Sequence, residues 1–457
     1  MTIMPEEQRI DNAIEKKFYF FIKRFGINKL LRKVGATKEK GISAYLIFSL
    51  LLGLVFTRKN LYETMALSRE APSFSKNTAY RYLSNPSVNW EVFVQDLSSV
   101  VIPEIDKLTS ETHKTVSIID DTPYWRNRSK KVELLSRCYD HAEKRYYKGF
   151  TMLNLGWSDG HTYIPVDFRI LASGNDKNLL EGSHIKEDNR TLATKRRVAA
   201  RQDKPSLALQ MLKDAKGTPK QTKFVLYDSW FASPSFLLSV KGLGYDSIAR
   251  LKNHKNYRYS YNGELLSINE IYSMNRKRRG KSRYLLSVTV DIRHNDFEDA
   301  VPAKIVFVRD RSNRKRWIAL ISTDTALSED AIIEYYGKRW DIEPFHKIIK
   351  STLLLTKEFQ LRSFDAITAH TAIVLTRYIF LALENRQSKD ERTMGELFFF
   401  VCDELSDISF QYAFDMLMSL FQQCLLDNFY ISKEVVFQLV NQFIDLLPNC
   451  IKVRLVS

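Results

Sequence analysis

Three acidic side chains in this chain stand where their types and positions could do chemistry: Asp121, Asp228 and Glu343. Asp121 ends a short β-rich run, KTVSIID plus one residue, that closes in the carboxylate pair Asp120 and Asp121. Asp228 ends a second such run, KFVLYD, and Glu343 lies in a later segment, YGKRWDIEPFHKIIK, running from Tyr336 to Lys350. Singly, each acid has an ordinary use, capping the turn after a strand or decorating a solvated helix face. Together they form the acidic set that two divalent ions about 3.5–4 Å apart require, one activating a water or hydroxyl and the other stabilising a leaving oxygen. Mg²⁺ suits such a set, since water and phosphate oxygens complete its shell; two ions are expected, and Mn²⁺ could substitute.

The residues around Glu343 point the same way. At about 100° per helical residue, Tyr336, Arg339, Glu343 and Lys350 fall within one narrow face of a helix. Ile342, Phe345 and Ile349 fall roughly opposite, where a core-facing stripe belongs. A carboxylate flanked by a phenol, a guanidinium and an ammonium suits a polyanion beside a bound cation. Pro344 interrupts this pattern: it removes a backbone donor, and either kinks the helix or starts a new one with Asp341 or Glu343 near its cap.

These residues need elements to position them. Residues 1–110 read as helical, and 60–83 outlines a helix-turn-helix. Its first helix spans Asn60 to Leu67, its turn holds Ala71 and Pro72, and Ser75 caps a second helix. Lys76, Asn77 and Arg81 on that second helix are placed to enter a major groove. Residues 111–251 then read as strand, hairpin, helix, strand, helix, strand, with the hairpin turning at Ser158-Asp159-Gly160. The basic, aromatic residues 122–148 read as an excursion, and the polar residues 173–204 as a loop before a helix near Leu207 to Ala215. That order matches a mixed α/β sheet with acids gathered at strand ends.

Residues 252–327 break the alternation and read as a β-rich insertion, carrying the basic cluster Arg276, Lys277, Arg278, Arg279, Lys281 and Arg283. Residues 328–388 resume with the Glu343 helix and a buried apolar helix over 366–383, in which His370 reads as a core histidine. Residues 389–457 read as a helical C-terminal region suited to protein–protein contact.

Composition narrows the partner. Of 457 residues, 69 are Lys or Arg and 53 Asp or Glu, a net charge of +16 that favours a polyanion, nucleic acid first. The four cysteines are scattered without zinc-ligand spacing and fit a reducing compartment. The N-terminus is too charged for a secretory signal, and the apolar run Ile42 to Phe56 is shorter than a membrane span needs. A cytoplasmic protein without membrane contact is expected.

Tyr336, Arg339, Glu343 and Lys350 fit a Tyr-x2-Arg-x3-Glu-x6-Lys motif without a gap. With Arg339-Trp340, Ile342-Glu343, Phe345-His346-Lys347 and the blocks IIDDTPY and VLYDSWF, the chain resembles the DDE cut-and-paste transposases of bacterial insertion sequences, the insertion-sequence-four type. The resemblance spans roughly residues 115–385. It implies a ribonuclease H-like fold with a β-rich insertion, flanked by helical regions, and a metal-dependent DNA transposase. Because the family's first ligand is usually an Asp followed by Thr, it favours Asp121 over Asp120. It further implies double-stranded DNA as partner, both terminal inverted repeats and target, with a hairpin intermediate and a homodimer on DNA. Tyr336, Arg339, Lys347 and Lys350 would hold DNA phosphates, and Trp317 would stack on a flipped base; Trp317 also reads as strand packing, as does Trp230. Two other readings stay open: a nuclease that cuts without joining, and a catalytically silent DNA-binding protein.

Overall fold

Val116, Ile118 and Ile119 are fully buried, and the β-branched run that holds them forms the strand from which the sheet grows. In a computed structural model of the chain this strand, β1, spans Val116–Trp125. The structure describes residues 13–38, 40–66, 72, 74–109, 114–140, 143–186, 188–278, 282–310, 313, 316–387 and, beyond these, 394, 398, 402, 414–415, 417–423, 425–426, 432–448 and 451. It divides into two units, one of Met1–Gly26, Gly53–Pro72 and Glu391–Ser457, the other of Ile27–Leu52 and Ser73–Asp390.

The first unit includes α1 (Ala13–Arg24), α4 (Leu61–Ala66) and α14 (Lys433–Leu446). Within it, the Phe56 ring lies 5.1 Å from Phe18 and 5.4 Å from Phe398, centroid to centroid.

The second unit opens with α2 (Ile27–Lys33), α3 (Ala44–Gly53), α5 (Lys76–Leu83) and α6 (Trp90–Asp106). Ser75 takes the N-cap position of α5 but makes no side-chain cap bond. The expected helix-turn-helix has a helix on each side, α4 and α5, while its turn, residues 67–71 and 73, lies outside the described residues.

Strands β2 (Ser136–Asp140), β3 (Arg145–Ser158) and β4 (Tyr163–Leu171) follow β1. β3 runs antiparallel to β1 along one edge and shares its other edge between β2 and β4. Ser158 pairs with Tyr163, so the hairpin turns at Asp159-Gly160 as its sequence demands. Next come α7 (Leu192–Ala200), α8 (Lys204–Ala215), β5 (Phe224–Tyr227), α9 (Pro234–Gly242) and β6 (Asp246–Arg250). β1, β5 and β6 are parallel neighbours. This mixed sheet, antiparallel on one side of β1 and parallel on the other with helices around it, is the ribonuclease H-like arrangement.

The chain then builds β7 (Tyr259–Tyr261), β8 (Glu264–Leu266), α10 (Ile268–Met274), β9 (Leu286–Ile292), β10 (Val301–Arg309) and β11 (Trp317–Ser322). These strands do not form a sheet of their own. β11 pairs antiparallel with β6, Leu320 opposite Arg250, so that one sheet of 11 strands runs through both.

Two expectations about irregular stretches need correcting. Residues 122–148 are not an excursion: β1 continues to Trp125, β2 and the start of β3 fall inside the stretch, and Tyr124 is fully buried. Residues 173–204 are not all loop, because Thr191 caps α7 through the Thr194 amide. α7 carries two buried arginines that no apolar-run argument reveals. Arg197 grips Glu133 at 2.7 and 2.8 Å and Asp365 at 2.8 Å, while Arg196 bonds Glu91 at 3.1 Å and also pairs with Asp365.

The chain closes on α11 (Glu329–Gly337), a 3₁₀ turn (Lys338–Asp341), α12 (Ile342–Ser351) and α13 (Phe364–Gln387). α13 is long and apolar enough to cross a membrane, yet its apolar window is wholly buried as a core helix. His370 within α13 meets Glu358 at 2.7 Å, the carboxylate that Arg377 also binds, at 2.7 and 2.9 Å. It is a hydrogen-bonded core histidine, as its apolar surroundings suggest.

Candidate active site

Asp120 and Asp228 each lie two residues beyond the register pair Ile118–Leu226 of β1 and β5. Within β1 successive side chains alternate faces, so Asp120 and Asp121 point opposite ways, while Asp228 lies one residue past β5 with the Asp121 charge acting on it and its own charge acting on Asp120. The contacts follow that parity. On the Asp120 face, Arg339 Nη1 donates to Asp120 Oδ2 at 3.3 Å, Lys350 Nζ bonds Thr122 Oγ1, and the Tyr124 hydroxyl donates to the Leu355 carbonyl at 3.0 Å. On the other face, Asp121 Oδ2 accepts from Lys204 Nζ at 2.9 Å.

The later segment is split rather than continuous. Tyr336 sits in α11, Arg339 in the 3₁₀ turn, and Glu343 and Lys350 in α12, with Pro344 in the first turn, where its missing N–H costs no helical bond. Asp341 does not cap α12 with its side chain; it accepts instead from Ser158 Oγ at 2.6 Å. The apolar stripe holds: Ile342, Phe345 and Ile349 are all fully buried. Arg339 is the hinge of the cluster. Its Nη1 lies 3.3 Å from Asp120 and 4.0 Å from Glu343, and its guanidinium is 5.9 Å from the Tyr336 ring centroid. β1 and α12 thus meet at one cation. Glu343 is the exposed partner, its side chain 50% accessible.

Burial pushes the Asp120 carboxyl up to about 7; Arg339 opposes this, while the Asp121 and Asp228 carboxylates add to it. Burial likewise raises Asp228, with the Asp121 charge adding to the rise and the Trp230 amide, 2.9 Å from Asp228 Oδ1, opposing it. Burial lowers Lys350, against the pull of Asp140, Glu343 and Asp121. Burial also holds His346 down to about 3, with Lys350 and Arg339 acting in the same direction, so it is a neutral ring at neutral pH. His346 Nε2 is 3.1 Å from Asn154 Nδ2, and Asn154 is the register partner of Asp120.

The donor chemistry fits a hard divalent cation. Asp120, Asp121, Asp228 and Glu343 offer only oxygen, and burial pushes Asp120 and Asp228 toward protonation, with neighbouring carboxylates adding to it. The set is not closed around a vacancy: among the described residues no three Asp, Glu, His or Cys side chains stand close enough together to hold an ion. The Arg339 guanidinium, with its Nε buried and lacking a hydrogen-bond partner, stands among the acids instead.

Other expected site residues are distributed as follows. Lys347 is exposed on α12, and Lys76, Asn77 and Arg81 are exposed on α5. Trp317 is half-buried at the start of β11, stacked on Tyr272 at 4.7 Å and edge-on to Phe307 at 5.0 Å. Of the basic cluster, Arg279 and Lys281 lie outside the described residues, and Arg283 pairs with Asp330 at 3.2 Å. Lys204 escapes sequence reasoning because it falls at the end of a polar stretch. Asp203, which caps α8 through the Ser206 amide, and Pro205 in the first turn are the signals that mark that helix start.

A family model described as DDE superfamily endonuclease matches residues 37–315, well over half of the chain. The match takes in Asp120, Asp121 and Asp228 and stops short of Glu343. No curated protein matches the chain.

Proposed function

The chain belongs to the DDE superfamily endonucleases, and from that premise we propose that it is a cut-and-paste DNA transposase of the insertion-sequence-four type. It binds the terminal inverted repeats of its own element as double-stranded DNA, cuts at each end, passes through a hairpin and joins the freed ends to target DNA. Two chains act together on a pair of ends. The observation that carries this reading is the convergence on Arg339 of Asp120, from the first strand, and Glu343, from the last catalytic helix.

Asp121, Asp228 and Glu343 would hold two Mg²⁺ ions, for which Mn²⁺ could substitute. When bound, the ions supply Lewis-acid activation of the attacking and leaving oxygens. Asp121 is kept as first ligand by the family pattern of an Asp followed by Thr, and its charge acts on both Asp228 and Lys350; Asp120, paired with Arg339, is the alternative. Arg339, Lys350, Lys347 and Tyr336 bind phosphates of the strand being cut. Arg339 exchanges its carboxylate partners for phosphate oxygens, which its forked donors match. His346, neutral and fixed by Asn154, ties α12 to β3 and moves no proton.

The test uses the full chain with Mg²⁺ and duplex DNA carrying the sequences that flank its gene. Cutting followed by joining is expected. Cutting without joining would make it a nuclease, and retention of the DNA without cutting would make it a silent DNA-binding protein.

A further inference from the structure

Lys204 opens α8, a helix that carries none of the three acids, yet its ammonium lies between two of the segments that do. Nζ donates to Asp121 Oδ2 at 2.9 Å and stands 4.6 Å from the centroid of the Trp230 ring. Trp230 in turn donates its backbone N–H to Asp228 Oδ1 at 2.9 Å. One side chain thus touches Asp121 and the turn that holds Asp228. Among the described residues no other side chain bonds Asp121, and the bond takes Oδ2 alone, which leaves Oδ1 for a cation.

An ion pair in open water wanders and holds little. This one is mostly withdrawn from water, its lysine and aspartate side chains 26 and 23% accessible. The backbone beneath Lys204 is fixed as well. Asp203 caps the helix, accepting from the Ser206 amide at 2.9 Å and the Ser206 hydroxyl at 2.8 Å. Pro205 sets the backbone of the first turn, and Leu207, Ala208, Met211 and Leu212 are buried beyond it. The Tyr245 hydroxyl pins the far end, donating to the Leu212 carbonyl at 2.9 Å. The ammonium therefore reaches Asp121 from a rigid base, and the Trp230 ring narrows its position further.

A carboxylate turns about its last carbon–carbon bond and offers either oxygen or both, whereas phosphoryl transfer between two ions needs its ligands held close to one geometry. A cation fixed on one oxygen stops that rotation and presents the other. We propose that Lys204 is the positioning residue of the site: it holds Asp121 Oδ2 so that Oδ1 meets the cation, and through Trp230 it steadies the turn that carries Asp228. This rests on the metal-dependent DNA cutting proposed above, with Asp121 as first ligand. Lys204 touches neither DNA nor ion and acts through Asp121. Partners that orient a metal ligand in this way typically contribute ten- to hundredfold in metal affinity or rate.

The experiment uses the full chain bound to the DNA product of its own cut, with Mn²⁺ binding followed by electron paramagnetic resonance. Lys204→Ala should bind Mn²⁺ about ten- to hundredfold more weakly than the wild-type chain. Its affinity for the same DNA in Ca²⁺, and the dependence of that affinity on salt, should not change. Lys204→Arg, which keeps a cation on Oδ2, should recover most of the Mn²⁺ binding and so separate positioning from a folding defect. Mn²⁺ binding that is unchanged in Lys204→Ala, or as weak in Lys204→Arg as in the alanine variant, overturns the proposal. Tighter Mn²⁺ binding by Lys204→Ala overturns it too, making the lysine a placeholder that the ion expels. A salt slope lowered by about 0.9 would make it a phosphate contact instead. If the wild-type chain neither cuts DNA nor binds Mn²⁺, the function itself fails, a result distinct from a working chain indifferent to Lys204.

Discussion

Between Asp120 and Asp121 the difference is one residue of strand, and one residue is a change of face. The sequence presents both as the end of the same apolar run, and their cation partners tell them apart, Lys204 on Asp121 and Arg339 on Asp120. Asp121→Asn should cut cleavage by roughly a thousandfold or more, the scale on which essential catalytic groups act, with DNA binding retained. Asp120→Asn should leave cleavage well above that level, because it chiefly releases Arg339; single-turnover rates on end DNA compare the two. Should Asp120→Asn be the dead variant and Asp121→Asn the active one, the ligand assignment reverses. Arg339→Ala and Lys350→Ala should weaken DNA binding, each lowering the slope of log affinity against log salt by about 0.9. A titration across salt concentrations measures this, and an unchanged slope would remove the phosphate role.

At the scale of elements, what was legible was periodic and what was not was polar. Ile342, Phe345 and Ile349 face inward as a helical stripe must, and Ser158-Asp159-Gly160 turns the hairpin between β3 and β4. By contrast β2 and α7 lie in stretches whose charged residues resemble loop, because their burial depends on partners distant in sequence. Arg197 is tolerable inside only because Glu133 and Asp365 meet it there. Glu133→Ala should cost about 3–5 kcal/mol by leaving that guanidinium short of a partner, measurable in chemical denaturation. The clasp on α13 makes a pH prediction. Burial pushes Glu358 up, but Arg377 and His370 outweigh it and hold the carboxyl down at about 2 against an ordinary 4.5. Its folded value is depressed, so its contribution is complete above 4.5 and disappears as pH falls through about 2. Glu358→Gln should lower stability at neutral pH and flatten the stability curve across that acid window; an unchanged acid limb would show that other groups set it.

For the molecule as a whole, the mixed α/β sheet could be read in advance, since alternating strand and helix signals admit few topologies. The continuity of the sheet from β6 into β11 could not, because nothing local marks which edge a strand will choose. A reaction that joins two DNA ends needs two sites facing one substrate. We expect two chains per pair of ends by light scattering of the DNA-bound complex, and a complex with one chain per joined pair would refute the dimer.

Arg377 also donates from Nε to the Leu52 carbonyl at 3.0 Å and from Nη2 to that of Leu51, in the last turn of α3. Those carbonyls lie in the last turn of a helix, where intrahelical donors run out. A ribosome adding about 5–20 residues per second takes roughly 15–65 s to travel from one end of this contact to the other. Through that interval the Arg377 clasp on α3 cannot form, so the final seating of that helix end waits for the last third of the message.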